Sequence, residues 1–427
     1  MLDSLTEKVF NDYQNTDLCC SAKERELLRE LAKEVSELAA RPIEEEKRRL
    51  WLDHNMLVHT RPLVVMEPEN AWCEILPDNK FLCSNMLCRV WEEDLRRLIY
   101  IAANYTDDRV IAPIIYVPYI YEVFDFGLRH ELIKSSSQKG AYNWTKPLED
   151  YNTDFEKLHF PRINVDIKKT KDIIDFANEI FGDMITIKVK GLWWWTRGLT
   201  WRLISLRGLE QFMMDMYDFP EELHKLMSFL CDAYGYIIDE IEKMELLTLN
   251  NDETYIGSGG YGFTTELPAK DFDGKVRACD LWAFAEAQET LMISNEMFKE
   301  FVFPYQKKLL SRFGLVHYGC CEPLNNRWDV LSSLPNLRRV SVSPWADKAD
   351  MAEKLGSKYI YSLKVPPMEI TGESMDDELV RKNLREVLHI TRNCNVEIIM
   401  QDTHTLSGKP EHAIRWSNIA MEEALSL

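Results

Sequence analysis

From about residue 60 onward the chain alternates two kinds of hydrophobic pattern. Short runs rich in Val, Ile, Leu and Tyr occur at 63–66, 110–117, 184–190, 246–250, 315–317, 340–343, 359–363 and 396–400. Between them lie longer stretches in which apolar residues recur every three or four positions. The first pattern predicts strands and the second amphipathic helices. The clearest helix runs from 220 to 244, with Leu223, Leu226, Met227, Leu230, Tyr234, Ile237, Ile238 and Ile241 on one face. Pro220 suits its first turn, where no N–H is needed. Another helix opens near Ser294 and carries Phe298, Phe301, Val302, Tyr305 and Leu309, and Pro304 inside it predicts a kink.

Strand–helix alternation sustained over roughly 360 residues implies parallel strands joined by crossover helices. About eight strands favour a closed (β/α)8 TIM barrel over an open doubly wound sheet. No Gly-x-Gly-x-x-Gly follows an early strand, which weakens the dinucleotide-binding alternative. Residues 60–427 therefore read as one α/β barrel domain. Residues 121–160 are strand-poor and read as an insertion over one end. Residues 1–59 read as a helical N-terminal extension. Leu27, Leu28, Leu31, Val35 and Leu38 share a face there, and Ser21 followed by Glu24 is a capping-box pattern. That helix is expected to pack on the main domain or on a second subunit, the latter giving a homodimer.

Composition narrows the partners. The chain has 427 residues, 46 % of them apolar, enough for a large core. Its 51 basic and 70 acidic residues give a net charge of −19, which repels nucleic acid and anionic lipid. No run approaches the ~18 apolar residues of a membrane span, and the first residues lack a basic-then-apolar signal pattern. A cytoplasmic location is expected, with the ten cysteines as thiols.

In a barrel of this kind the reacting groups stand at the carboxyl ends of the strands, which selects a short set of residues. The run 315–317 leads into His317-Tyr-Gly-Cys320-Cys321-Glu322. An imidazole and thiolates so close together suit Zn²⁺, and Gly319 permits the tight turn that would aim them at one ion. His404, after the run 396–400, is a further candidate ligand. The bland alternative makes His317 a hydrogen-bonded core residue and the cysteines packing. Asp402, Glu322 and Asp252 are candidate acid/base groups. Trp193, Trp194, Arg197 and Trp345 follow other strands and are candidates for substrate binding, with Arg197 as an anion contact. Asp402-Thr-His404 resembles the start of a cobalamin-binding Asp-x-His-x-x-Gly loop. The glycine, Gly408, falls one residue late and only 19 residues follow, so no cobalamin domain is expected in this chain.

The segment Ser294-Asn-Glu-Met-Phe298-Lys-Glu300-Phe301-Val-Phe-Pro304-Tyr305, followed by Leu315-Val-His317, resembles the uroporphyrinogen decarboxylase superfamily. The resemblance covers about residues 180–425, more loosely 60–180, and implies the same barrel. The arginine-rich motif of the porphyrin decarboxylases is absent: Thr60-Arg61-Pro62 and Glu67 stand there instead. The zinc-dependent methyltransferases that act with corrinoid proteins are the nearer branch. It implies His317 with Cys320 or Cys321 as zinc ligands, His404 standing where that branch has a late cysteine, and cobalamin carried by a partner protein. A zinc-dependent methyltransferase acting on a small substrate is the leading expectation. A metal-free decarboxylase or lyase, and a non-catalytic ligand-binding barrel, are the alternatives.

Overall fold

The structure is a computed structural model describing residues 13, 16–121, 126–134, 142–191 and 196–426. Ten strands are described: β1 (Leu63–Met66), β2 (Ile114–Pro118), β3 (Leu132–Lys134), β4 (Tyr142–Trp144), β5 (Thr186–Lys190), β6 (Trp282–Ala285), β7 (Leu315–Tyr318), β8 (Leu337–Val342), β9 (Ile360–Val365) and β10 (Asn395–Met400). Six form one parallel sheet in the order β1-β10-β9-β8-β7-β6, and β2 and β5 form a second parallel pair. Helices alternate with these strands, giving an α/β fold whose sheet is buried on both faces, as parallel sheets require.

Two edges of these sheets are stitched by side chains in place of backbone ladders. Along β1, the Val64 and Met66 amides donate to the carboxylates of Asp108 and Asp107, at 2.8 and 3.0 Å. Between β5 and β6 lies the stretch 246–250. The expected strand does not form there. The Gly191 amide donates to the Thr248 hydroxyl, and the Asn250 side chain bonds both the N–H and the C=O of Trp282. A hydroxyl and a side-chain amide thus occupy the positions a ladder would use. The strand expected over 110–117 begins only at Ile114, because Pro113 has no N–H to donate. β6 was absent from the expected set.

Other expectations are met with local detail. The helix Ala22–Ala39 carries the Ser21/Glu24 capping box. The second oxygen of Glu24 accepts from the amides of Ser84 and Asn85, tying the extension to the main domain. The next helix, Pro42–Asn55, ends inside the strand array, where Asn55 donates to the carbonyls of Tyr261 and Phe263. The clearest helix spans Pro220–Lys243. The kink at Pro304 appears as one wide turn of π-helix, Phe298–Val302, just before the helix Phe303–Leu310. Within 121–160 the described residues include the antiparallel strand pair β3–β4.

A glycine-rich hairpin packs against β6, β8, β9 and β10. Tyr255 pairs with Tyr261, and the Ile256 amide donates to Gly260. Gly257 and Gly260 have φ of +60° and +73°. A Cβ at Gly257 would stand 2.1 Å from the Phe284 ring, and one at Gly260 2.5 Å from the Glu397 carboxylate. Only glycine lets the backbone pass so close.

Candidate functional site

Alternation along the strands directs polar residues inward from β7 to β10: His317, Arg339, Ser341, Ser362, Lys364 and Glu397, all nearly or fully buried. Glu397 is the hub of their charge. It lies 3.3 Å from Arg339 Nε and 3.4 Å from His54 Nε2, and accepts a short bond from Ser362. Burial alone would raise its pKa. The Arg339 charge, the contacts with His54 and the Lys364 charge outweigh that and hold it well below the carboxylate range.

His317 belongs to this network. Its Nδ1 lies 2.9 Å from the Ile256 carbonyl and its Nε2 2.9 Å from the Ser341 hydroxyl. A carbonyl only accepts, so Nδ1 carries the hydrogen and Nε2 receives the serine proton. Burial, reinforced by Lys364 and Arg339, pushes its pKa well below the usual value and keeps it neutral. Both ring nitrogens are engaged, so no lone pair faces an ion. Among the described residues, no three His, Cys, Asp or Glu side chains gather closely enough to hold a metal. The zinc set His317, Cys320, Cys321 and His404 does not fit this arrangement, and the core reading of His317 describes it.

Just beyond the strand ends a different cluster forms. Gly319, at φ +98°, turns the chain after β7. The Cys320 and Cys321 sulfurs lie 3.6 Å apart, and Cys321 Sγ lies 3.3 Å from an Asp402 oxygen. Cys320 is buried, and the neighbouring thiol together with burial raises its pKa strongly. Asp402 follows β10 in a left-handed conformation, φ +57°, and Glu69 follows β1 at φ +45°. Non-glycine residues in this region store strain and cluster at functional sites. Burial raises the Glu69 carboxyl to about 7, with the Asp402 and Glu67 charges adding to it against the opposing pull of the Asp402 amide and Lys364. Burial also lowers Lys364, at the end of β9, to about 8, against the pull of Glu397 and Cys320. Two groups that exchange protons near neutrality thus flank a thiol pair and a carboxylate.

The remaining sequence candidates separate. Glu322 is fully buried and accepts from the amides of Ala287 and Cys320 at 2.8 and 2.9 Å, so it anchors a loop instead of facing a substrate. His404 is exposed and contacts Asn70 at 2.9 Å. Asp252 pairs with Lys188 at 3.2 Å beside Glu253 and Tyr116, in a second cluster. Arg197 is 1 % exposed, its guanidinium 5.7 Å from the Phe313 ring centre. Trp345 is 79 % exposed, on the loop after β8. Trp193 and Trp194 lie outside the described residues. Glu69 and Lys364 were not anticipated. A lysine two places after a serine within a buried strand was the signal for Lys364, since both must face inward. Nothing in the sequence around Glu69 marked it.

No protein-family model matches the chain, and no curated protein sequence matches it. Among solved structures it is similar to a methyltransferase from Methanosarcina mazei, at 11 % identity and a TM-score of 0.41, over 70 % of this chain and 76 % of that one. Among the described residues, no helix is long and apolar enough to cross a membrane.

Proposed function

We propose that this chain is a methyltransferase that moves a methyl group between a small substrate and a separate corrinoid protein, on strands that close into a (β/α)8 barrel through the side-chain seams at β1 and at residues 246–250. The observation that carries the reading is the Glu69–Asp402–Cys321–Lys364 cluster at the strand ends. A heteroatom releases a methyl group readily only when it gains a proton as the bond breaks. Glu69, with its pKa near 7, is half protonated at neutral pH and supplies that proton to the departing oxygen or nitrogen. Asp402 and Cys321 orient the substrate beside it, and Lys364 holds the site near charge balance. The partner's corrinoid supplies the methyl acceptor when docked. Exposed large apolar side chains on loops after β6, β8 and β9 (Met292, Trp345 and Met368) suit contact with another protein at this end of the strands. Among the described residues, His317, Cys320, Cys321 and His404 do not converge on a common point that would hold zinc.

Lys364 favours a second reading, a metal-free decarboxylase or lyase. A buried ammonium beside the strand ends would hold a substrate carboxylate. One experiment separates the two. Purified protein is incubated with reduced free cobalamin and a panel of O-methyl and N-methyl donors, with the visible spectrum reporting methylation. Transfer that depends on the protein and falls in Asp402→Asn supports methyl transfer. No transfer from any donor, with carbon dioxide released from a carboxylate panel, overturns it.

A further inference from the structure

A cavity of about 550 Å³ opens beside β5, bounded by Tyr116, Lys188, Lys190, Asp252, Thr254 and Phe272. We infer that it binds a small organic carboxylate, with the Lys190 ammonium as its counter-ion and the Tyr116 and Phe272 rings as its walls. Register explains the convergence. Tyr116 pairs with Lys188 and Pro118 with Lys190, so side chains two apart share a face. The alternate residues Ile115 and Val117 are buried in the core on the opposite face.

The charges in the cavity are unevenly satisfied. Asp252 is neutralised by Lys188 at 3.2 Å, and the same lysine reaches Glu253 at 3.4 Å. Lys190 is exposed and, among the described residues, forms no ion pair. Although the residue is open to solvent, desolvation around its ammonium lowers its pKa, and Asp94 and Asp252 oppose that through their longer-range fields. Its Nζ lies 5.8 Å from the centre of the Tyr116 ring, a cation–π distance that holds the ammonium over the cavity wall. A cation without an ion-pair partner, beside the Tyr116 ring in a cavity that Phe272 also lines, selects an anion with an apolar body. The volume accommodates a ligand of benzoate size.

The cavity lining adjoins, along the chain, a residue near the strand-end carboxyls. Thr254 lines the cavity, and the next residue, Tyr255, lies within the electrostatic reach of Glu67 and Glu69. The binding proposal stands whether or not methyl transfer is the reaction.

Calorimetric titration of the intact protein with benzoate, benzamide, benzylammonium and inorganic phosphate tests it. Benzoate is expected to bind at millimolar concentration or below, more tightly than the other three and more weakly as salt rises. Lys190→Gln, an exposed substitution checked for folding by circular dichroism, is expected to weaken benzoate about tenfold or more, the scale of one charge-assisted hydrogen bond, and to leave benzamide unchanged. Lys190→Arg should restore most of the binding. Absence of benzoate binding at millimolar concentration overturns the proposal. So does equal binding of benzamide or phosphate, or benzoate binding that survives Lys190→Gln.

Discussion

Replacing Glu69 by Gln should stabilise the protein and disable it. In the unfolded chain this carboxyl titrates near 4.5, and in the folded protein near 7. Between those values the folded state keeps a proton that the unfolded state has released. Raising the pH therefore favours unfolding: the contribution is fully present below pH 4.5 and is lost as pH rises through 7. One pKa unit corresponds to ~1.36 kcal/mol, so the shift represents roughly 3 kcal/mol lost across that window. Glutamine has the same shape, retains an oxygen to accept from the Asp402 amide, and does not titrate. Urea unfolding at pH 4.5, 6 and 8 should show the variant and the parent nearly equal at the lowest pH. The variant should lead by up to roughly 3 kcal/mol at the highest. Activity should fall at every pH, because the amide cannot supply the proton. A stability difference that is constant with pH would refute both the burial argument and the assignment of Glu69 as the acid.

Other perturbations test the core and the metal reading. Glu397→Gln leaves Arg339 and Lys364 buried without their anion and should cost about 3–5 kcal/mol in urea unfolding, whereas the double change Arg339→Met with Glu397→Leu should recover much of it. His317→Ala should cost about 2–4 kcal/mol by stranding the Ile256 carbonyl and the Ser341 hydroxyl while leaving metal content unchanged, and elemental analysis showing one zinc per chain that disappears in this variant would reverse that account. Gly260→Ala should destabilise strongly, since its methyl would meet Glu397 and Arg339 in a left-handed backbone, and failure to lower the melting temperature would mean that the hairpin lies elsewhere.

The legible and illegible parts of this molecule divide by the kind of signal that carries them. The runs at 315–317, 359–363 and 396–400 were readable because a strand buried on both faces is short and mostly apolar. The stretch 246–250 has much the same apolar character, yet its own Thr248 and Asn250 side chains bond the backbone of its neighbours, which composition does not reveal. The site shows the same division. A His beside two Cys attracts a metal reading because those residue types are scarce and soft. What decides the role of His317 is Ser341, on the adjacent strand, and Ile256, on a hairpin 61 residues earlier. Period-two alternation inside β8, β9 and β10 places Arg339, Ser341, Ser362, Lys364 and Glu397 in one interior layer. Charged residues at alternate places in otherwise apolar strands are costly unless they meet one another. Their recurrence on three neighbouring strands was therefore evidence of a shared polar core, and a histidine opening into that core from β7 is a partner for it before it is a ligand for zinc.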